Sequence, residues 1–173
     1  MKKINLLMLI LIVLSSYNSP AQNVNILTES EYSNILINDV NWNQIKETQG
    51  NLFELKTYFE ITESSINAKT EPSLAKEIKI ANFYFHFEDR SGVGNNYELT
   101  DFSIMNNQGS ITVKGKMITI GDNINKLGLV LINTNSEGEK KIIFGTNYAS
   151  DGIWISFNQS TKLITKIEYT LYD

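Results

Sequence analysis

The chain has no cysteine, one histidine and two prolines among its 173 residues. Without cysteine there is no disulfide, no thiol nucleophile and no thiolate metal site. A zinc site needs three or four protein ligands, and a single histidine with no cysteine does not supply them. We therefore expect no metal and no cofactor, and a fold that depends on the packing of its core.

The first residues follow the order typical of a secretory signal peptide. Lys2 and Lys3 form a positive start, Leu6 to Leu14 is an unbroken apolar run, and Ser19-Pro20-Ala21 offers a cleavage site. The run is shorter than the roughly 20 residues that a spanning helix needs. We therefore predict a signal peptide over residues 1–21 and a single mature domain over 22–173. The expected location is the periplasm or the extracellular space, and the protein is not expected to be an integral membrane protein.

The charge balance is acidic, with 15 Lys and Arg against 19 Asp and Glu, a net charge of −4. Removal of Lys2 and Lys3 with the signal peptide leaves 13 basic residues against 19 acidic ones, a net charge of −6. Nucleic acids and anionic membranes attract basic surfaces. Neither is an expected partner of this chain.

Two short helices are predicted in the first third of the chain. Asn41 precedes a turn with Trp42 and Ile45 on one side, and Asn51 precedes a helix with an apolar face. The following polar segment, Ile61 to Ser73, lacks periodicity and contains a proline, so it is predicted to be a mobile loop. A further short helix is predicted through Ile124 and Leu127, with Asp122 as its cap.

The remainder of the chain has the period of two that is typical of half-buried strands. Phe83, Phe85 and Phe87 alternate with polar residues, and a glycine-containing turn follows at 90–96. Further strands are predicted at 97–104, 111–120, 141–145, 152–158 and 162–172. These patterns predict an α+β fold in which short helices cover one face of an antiparallel sheet.

The two halves of the chain share a pattern. Ile37-Asn38-Asp39 and Ile120-Gly121-Asp122 each precede a predicted helix, and each helix is followed by a pair of amphipathic strands. The halves span about 35–104 and 118–172, and we interpret them as an internal repeat of a helix and a hairpin.

At these residues the chain resembles the tandem α-β repeats of β-lactamase-inhibitor-protein-like and SmpA/OmlA-like periplasmic proteins. The resemblance implies a sheet-based module that binds a protein partner and does not catalyse a reaction. The chain lacks the lipidated cysteine of the SmpA/OmlA-like proteins and the two disulfide pairs of the inhibitor protein.

Several short motifs match catalytic or ligand-binding signatures only in part. Ser73 and Lys76 have the S-x-x-K spacing, but its partner motifs are missing. Gly92 and Gly94 join two strands instead of opening a helix, so a turn is favoured over a phosphate site. The polar segment 133–138 resembles the start of a calcium loop, but its twelfth position is Phe144. Paired carboxylates, Asp101 and Glu168 among them, are expected by chance in an acidic chain.

The period of two assigns side chains to the two faces of the predicted sheet. The opposite face is expected to be open. The residues expected to face the core are Phe83, Phe85, Phe87, Ile153, Ile155, Phe157, Leu163, Ile167, Tyr169 and Leu171. The candidate binding residues on the open face are Tyr84, His86, Glu88, Trp154, Lys166 and Tyr172. The expected function is the recognition of a protein or an envelope component. A carrier of a small apolar ligand and a carboxylate-dependent hydrolase remain the alternatives.

Overall fold

A computed structural model describes residues 23–61, 66–71, 75–134, 137–146 and 151–171 of the chain. The predicted signal peptide and Tyr172 lie outside these residues. In this described part of the chain there are three short α-helices: α1, Glu29–Ser33; α2, Trp42–Glu47; and α3, Leu52–Tyr58. A 3₁₀ turn spans Ile124–Leu127.

The strands of the described segments form two sheets. Their bounds are β1 Asn25–Ile26, β2 Leu36–Ile37, β3 Val40–Asn41, β4 Ile66–Glu71, β5 Ala75–Ile80, β6 Phe83–Asp89, β7 Tyr97–Ile104, β8 Ser110–Val113, β9 Lys116–Thr119, β10 Ile132–Thr134, β11 Lys140–Gly145, β12 Asp151–Phe157 and β13 Ile164–Leu171. Within the described residues the large sheet has the order β1-β11-β12-β13-β7-β6-β5-β4, and β10 also pairs with β11. The small sheet has the order β3-β2-β8-β9. The α+β class predicted from the sequence is confirmed.

The centre of the large sheet is a long-range pairing between β7 and β13. The two strands are antiparallel, with Phe102 opposite Tyr169 and Ser103 opposite Glu168. The strands β4 to β7 follow one another on one side of this pairing, and β10 to β13 follow one another on the other side. This pairing therefore brings strands from the two halves of the chain together.

The core lies on the helix-bearing face of the large sheet. Trp42 of α2 is 1% exposed, and its ring lies edge-on to those of Tyr169 and Phe102 at centroid distances of 4.7 and 5.9 Å. Phe59, at the end of α3, packs against Phe83 with a centroid distance of 5.1 Å. Burial of such aromatic side chains is the main source of stability in a chain without cross-links.

Side-chain caps fix the helix starts. The side chain of Asn41 accepts a hydrogen bond from the backbone N–H of Asn43, and that of Asn51 accepts from Phe53. Asn is favoured at this position because its side chain satisfies an N–H that has no partner within the helix. The predicted cap Asp122 is wrong by one residue, because Asn123 caps the 3₁₀ turn and Asp122 binds Lys126.

Three other sequence-based expectations are corrected. The predicted loop over Ile61 to Ser73 contains strand β4, which pairs along its whole length with β5. Leu163, expected in the core, is 41% exposed because it precedes β13 and forms an isolated bridge with Asn123. The sheet is also not wholly antiparallel, because β1 pairs in parallel with β11.

Within the part of the chain that the structure describes, no helix combines the length and the apolar content required to cross a membrane.

Candidate functional site

The large sheet has one face in the core and one face in contact with solvent. Along β6 the phenylalanines are buried, whereas Tyr84, His86 and Glu88 keep part of their surface exposed. Trp154 on β12 and Lys166 on β13 lie on the same outer side, opposite the buried isoleucines of their strands. We call this outer side the open face. It carries five of the six candidate binding residues, and Tyr172 lies outside the described residues.

A shallow groove of about 220 Å³ crosses the middle of the open face. It runs over the central strands β7 and β13, between β6 and β12, and we call it the central groove. Its outward side chains are those of Tyr84, Asp101, Ser103, Lys166, Glu168 and Thr170. The register places Ser103 opposite Glu168 and Asp101 opposite Thr170. Asp101 and Glu168 are therefore diagonal neighbours on adjacent strands, about 7–8 Å apart by ordinary sheet geometry.

The carboxylate of Asp101 has long contacts with its neighbours. Its Oδ1 accepts a 3.4 Å hydrogen bond from Thr170 Oγ1, and its Oδ2 lies 3.7 Å from His86 Nδ1. Its side chain is 44% exposed. Glu168 is engaged more closely, because its carboxylate contacts the ammonium group of Lys166 two residues earlier on the same strand. Asp101 therefore keeps room to accept further hydrogen bonds in the groove.

Tyr84 forms one wall of the groove, next to two carboxylates. It lies opposite Lys79 on β5 and opposite Ser103 on β7. Partial burial and the nearby charges of Glu77 and Asp101 raise the pKa of the Tyr84 phenol, whose hydroxyl also donates to Glu77. The phenol hydroxyl is thus near two carboxylates, those of Glu77 and Asp101.

Trp154 lies on β12, one strand beyond the groove, and is half-buried. A Cβ on Gly152 would lie 3.3 Å from the indole Nε1 and 3.5 Å from Cγ2 of Ile143, so the indole lies across Gly152 beside Ile143. The ammonium group of Lys141 lies 4.8 Å from the centroid of the indole ring. The glycine lets the ring lie flat on the sheet, which explains why Ile143 is only 4% exposed although it points away from the core.

His86 lies between two carboxylates on the open face. Its Nε2 is 3.8 Å from Oε1 of Glu88, and its Nδ1 is 3.7 Å from Oδ2 of Asp101. The Nε2 atom is buried, and no hydrogen bond from the described residues reaches it. Among the same residues no group of three His, Asp or Glu side chains is arranged to hold a metal ion.

Lys76 of the S-x-x-K motif has a structural role. Its ammonium group lies 3.6 Å from the centroid of the Tyr97 ring and donates to the carbonyl oxygen of Gln49 at 3.0 Å. Burial lowers the pKa of Lys76. Ser73, the other residue of the motif, lies outside the described residues.

The glycine-containing turn after β6 is filled by its own carboxylate. The side chain of Asp89 accepts hydrogen bonds from the hydroxyl and the backbone N–H of Ser91, and from the backbone N–H of Gly94. These bonds lower the pKa of Asp89. A phosphate would need the same backbone donors, so the turn interpretation made from the sequence agrees with the geometry.

The segment whose sequence resembles the start of a calcium loop contributes to two paired strands, β10 and β11. Asn133 pairs with Lys141 between β10 and β11, and Phe144, at the twelfth position, is buried in β11. Residues 135–136 lie outside the described part of the chain.

A second depression of about 400 Å³ lies between the β2–β3 turn and the end of α3. It is lined by Asn38, Asp39, Val40, Tyr58, Phe59 and Glu60. This depression and the central groove are both open to solvent, and polar side chains contribute to both linings. Neither is the enclosed apolar cavity that a carrier of an apolar ligand would need.

Sequence reasoning did not select Asp101, Ser103 and Thr170 as candidate site residues. Their period of two assigns each to the open face of its strand, but only the pairing of β7 with β13 places them together. No local pattern predicts which of several strands will pair across about 60 residues of chain.

Comparison of the chain with models of protein families, with curated proteins and with solved structures gives no match. The resemblance to the tandem-repeat periplasmic proteins therefore stays a prediction.

Proposed function

We propose that the protein is a non-catalytic binding module that recognises a protein partner or an envelope component through its open face. The observation that supports this proposal is the central groove, which lies on the solvated side of the sheet with Tyr84 in its wall and Trp154 on the next strand beyond it. Tyr and Trp are enriched among the residues that dominate binding energy at protein interfaces. The helices pack on the opposite face, so a partner reaches the groove without displacing them.

A site-specific photocrosslinker tests this proposal. It would be introduced at Ser156, which lies opposite Lys166 on the open face, and at Phe53 on α3, which is 77% exposed, as the matched control. In the native host we expect a defined crosslinked product from the Ser156 position and not from the Phe53 position. Products of equal yield from both positions, or from Phe53 alone, would contradict the proposal.

We further propose that the protein is exported and acts in the periplasm or outside the cell. The support is the sequence of residues 1–21, with its positive start, short apolar run and small residues before the expected cut. The mass of the intact protein purified from its host should correspond to a chain starting at about Gln22. A cytosolic product that retains residue 1 would contradict this.

The two halves of the chain are proposed to derive from a duplication. In support, each half contains four consecutive antiparallel strands of the large sheet, β4 to β7 in the first half and β10 to β13 in the second, and the two sets meet at β7 and β13. The second half has a 3₁₀ turn where the first has α2 and α3. The proposal requires the hairpins 83–104 and 153–169 to superpose with the same handedness. An experimental structure in which they differ would refute it.

A carboxylate-dependent hydrolase is the second candidate, because the structure places Asp101 and Glu168 in one groove. Glycosidases use two such groups on either side of the scissile bond. The groove is shallow, however, and Lys166 already contacts Glu168. Release of nitrophenol from aryl glycosides by the native protein, and its loss in Asp101→Asn and Glu168→Gln, would favour this candidate over the binding module.

A further inference from the structure

We infer that the central groove binds an arginine side chain on an extended, basic segment of the partner. This inference rests on the proposed function and specifies the chemistry of the partner at the same site. It follows from the shape of the groove, from the charges on its floor and from the kind of cation that the neighbouring rings accept.

The shape is set by the side chains of three adjacent strands. Asp101, Ser103 and Thr170 are short side chains on β7 and β13, and the ring of Tyr84 rises beside them on β6. Trp154 on β12 lies across Gly152, on the side away from the groove. Adjacent strands are about 4.8 Å apart, so β6 and β12 stand roughly 14 Å apart. This width accommodates one extended peptide lying on the short side chains, with its own side chains pointing into the floor.

The charges on the floor favour a cation. Asp101 is 44% exposed and has only long contacts, and Glu77 on β5 adds a negative charge beyond Tyr84, where Lys79 of the same strand also lies. Glu168 is 21% exposed and is balanced by Lys166, which itself points into solvent at 57% exposure. The mature chain has a net negative charge as well, so a basic partner is attracted from a distance.

The geometry favours arginine over lysine. A planar guanidinium can donate two parallel hydrogen bonds to one carboxylate and stack on an aromatic or imidazole ring at the same time. Asp101 offers the carboxylate, and Tyr84 and His86 offer rings on the adjacent strand, in register with Ser103 and Asp101. A lysine ammonium would keep the Coulomb attraction and lose the stacking and the bidentate contact.

The test uses three acetylated, amidated pentapeptides, Gly-Gly-X-Gly-Gly, in which X is arginine, lysine or citrulline. Each is titrated into the ¹⁵N-labelled mature protein, residues 22–173, and the backbone amide shifts are followed. We expect the arginine peptide to shift the amides of Ser103, Glu168 and Thr170 and to bind at least threefold more tightly than the lysine peptide. The citrulline peptide, which keeps the shape and loses the charge, should not bind measurably.

Charge-neutralising variants locate the subsite. Asp101→Asn should weaken the arginine peptide about tenfold, as expected for loss of a charge-assisted hydrogen bond, and Asp101→Glu should restore part of the affinity. Glu98→Gln is the matched control, because Glu98 lies on the same strand and face but outside the groove, opposite Glu88 and 3.4 Å from Arg90. It should leave the affinity unchanged. Well-dispersed spectra of all three variants establish that they are folded.

The inference is overturned if citrulline binds as well as arginine, if the shifts map outside the groove, or if Asp101→Asn binds normally. In any of these cases a crosslink from Ser156 would leave the proposed function standing with a partner of different chemistry. If the Ser156 crosslink is also missing, both proposals fail together.

Discussion

The phenol hydroxyl of Tyr169 donates a 3.1 Å hydrogen bond to Oδ2 of Asp151. The hydroxyl of Tyr32 donates to the same oxygen and accepts a 3.4 Å hydrogen bond from Nε1 of Trp42. The ammonium group of Lys46 lies 5.6 Å from the Tyr32 ring and 5.9 Å from the Tyr169 ring. This network joins α1 and α2 to the ends of β12 and β13, at the border between the helix layer and the sheet.

The two phenols predict a loss of stability at alkaline pH. Burial raises the pKa of Tyr32 and Tyr169, and the charge of Asp151 raises both further. Because the pKa of an unfolded tyrosine is about 10, the contribution is complete below pH 10 and is lost as the pH rises towards the folded pKa. Urea unfolding between pH 7 and 11.5 should show a falling free energy of unfolding above pH 10. The double variant Tyr32→Phe/Tyr169→Phe should have a shallower dependence, and an unchanged slope would contradict the assignment.

The two tryptophans should respond differently to truncation. Trp42 is 1% exposed and contacts the core aromatics, so Trp42→Ala should lower the free energy of unfolding by about 3–5 kcal/mol. Trp154 is half-buried on the open face, so Trp154→Ala should cost only about 1–2 kcal/mol. The chain has two tryptophans, so each variant leaves a single fluorescent reporter for the measurement. Equal losses in the two variants would mean that Trp154 supports the fold as much as Trp42 does.

Asn25 holds β1 against the edge of the sheet. Its side-chain amide donates to the carbonyl oxygens of Leu131 and Ile143, each at 3.0 Å, and its Oδ1 accepts from the N–H of Leu131 at 2.7 Å. Asn25→Asp would direct a carboxylate at two carbonyl oxygens and should cost about 2 kcal/mol or more at pH 7. Its stability should recover as the pH falls, because a protonated carboxyl can donate again. A pH-independent loss, measured by urea unfolding from pH 7 to 4, would contradict this reason.

Position 109 has no room for a side chain larger than that of glycine. A Cβ at this position would lie 2.7 Å from Cγ2 of Ile104 and 2.9 Å from Cε1 of Phe83. Gly109→Ala should therefore destabilise the protein by about 1–3 kcal/mol through overpacking. In a double-mutant cycle, Phe83→Leu should cost less in the Gly109→Ala background than in the native chain. Additive losses would show that the two positions do not compete for the same space.

The sequence by itself determined which side chains of a strand share a face. The alternation at Phe83, Phe85 and Phe87 is local, and all three phenylalanines are buried as that alternation predicts. The helix starts after Asn41 and Asn51 could also be predicted from the sequence, because a helix start depends on a few adjacent residues. Strand β4 was missed because its mixed, largely polar residues do not follow the apolar alternation by which strands are recognised.

Only the tertiary structure decided which strands become neighbours, and with them the candidate site. The period of two assigns Asp101 to the outer face of β7 and Glu168 to the outer face of β13, but it does not state that the two strands pair. That pairing places Phe102 and Tyr169 side by side against Trp42, residues that are far apart in sequence and close in the core. The central groove lies on the other side of the same two strands, and no local pattern contains it.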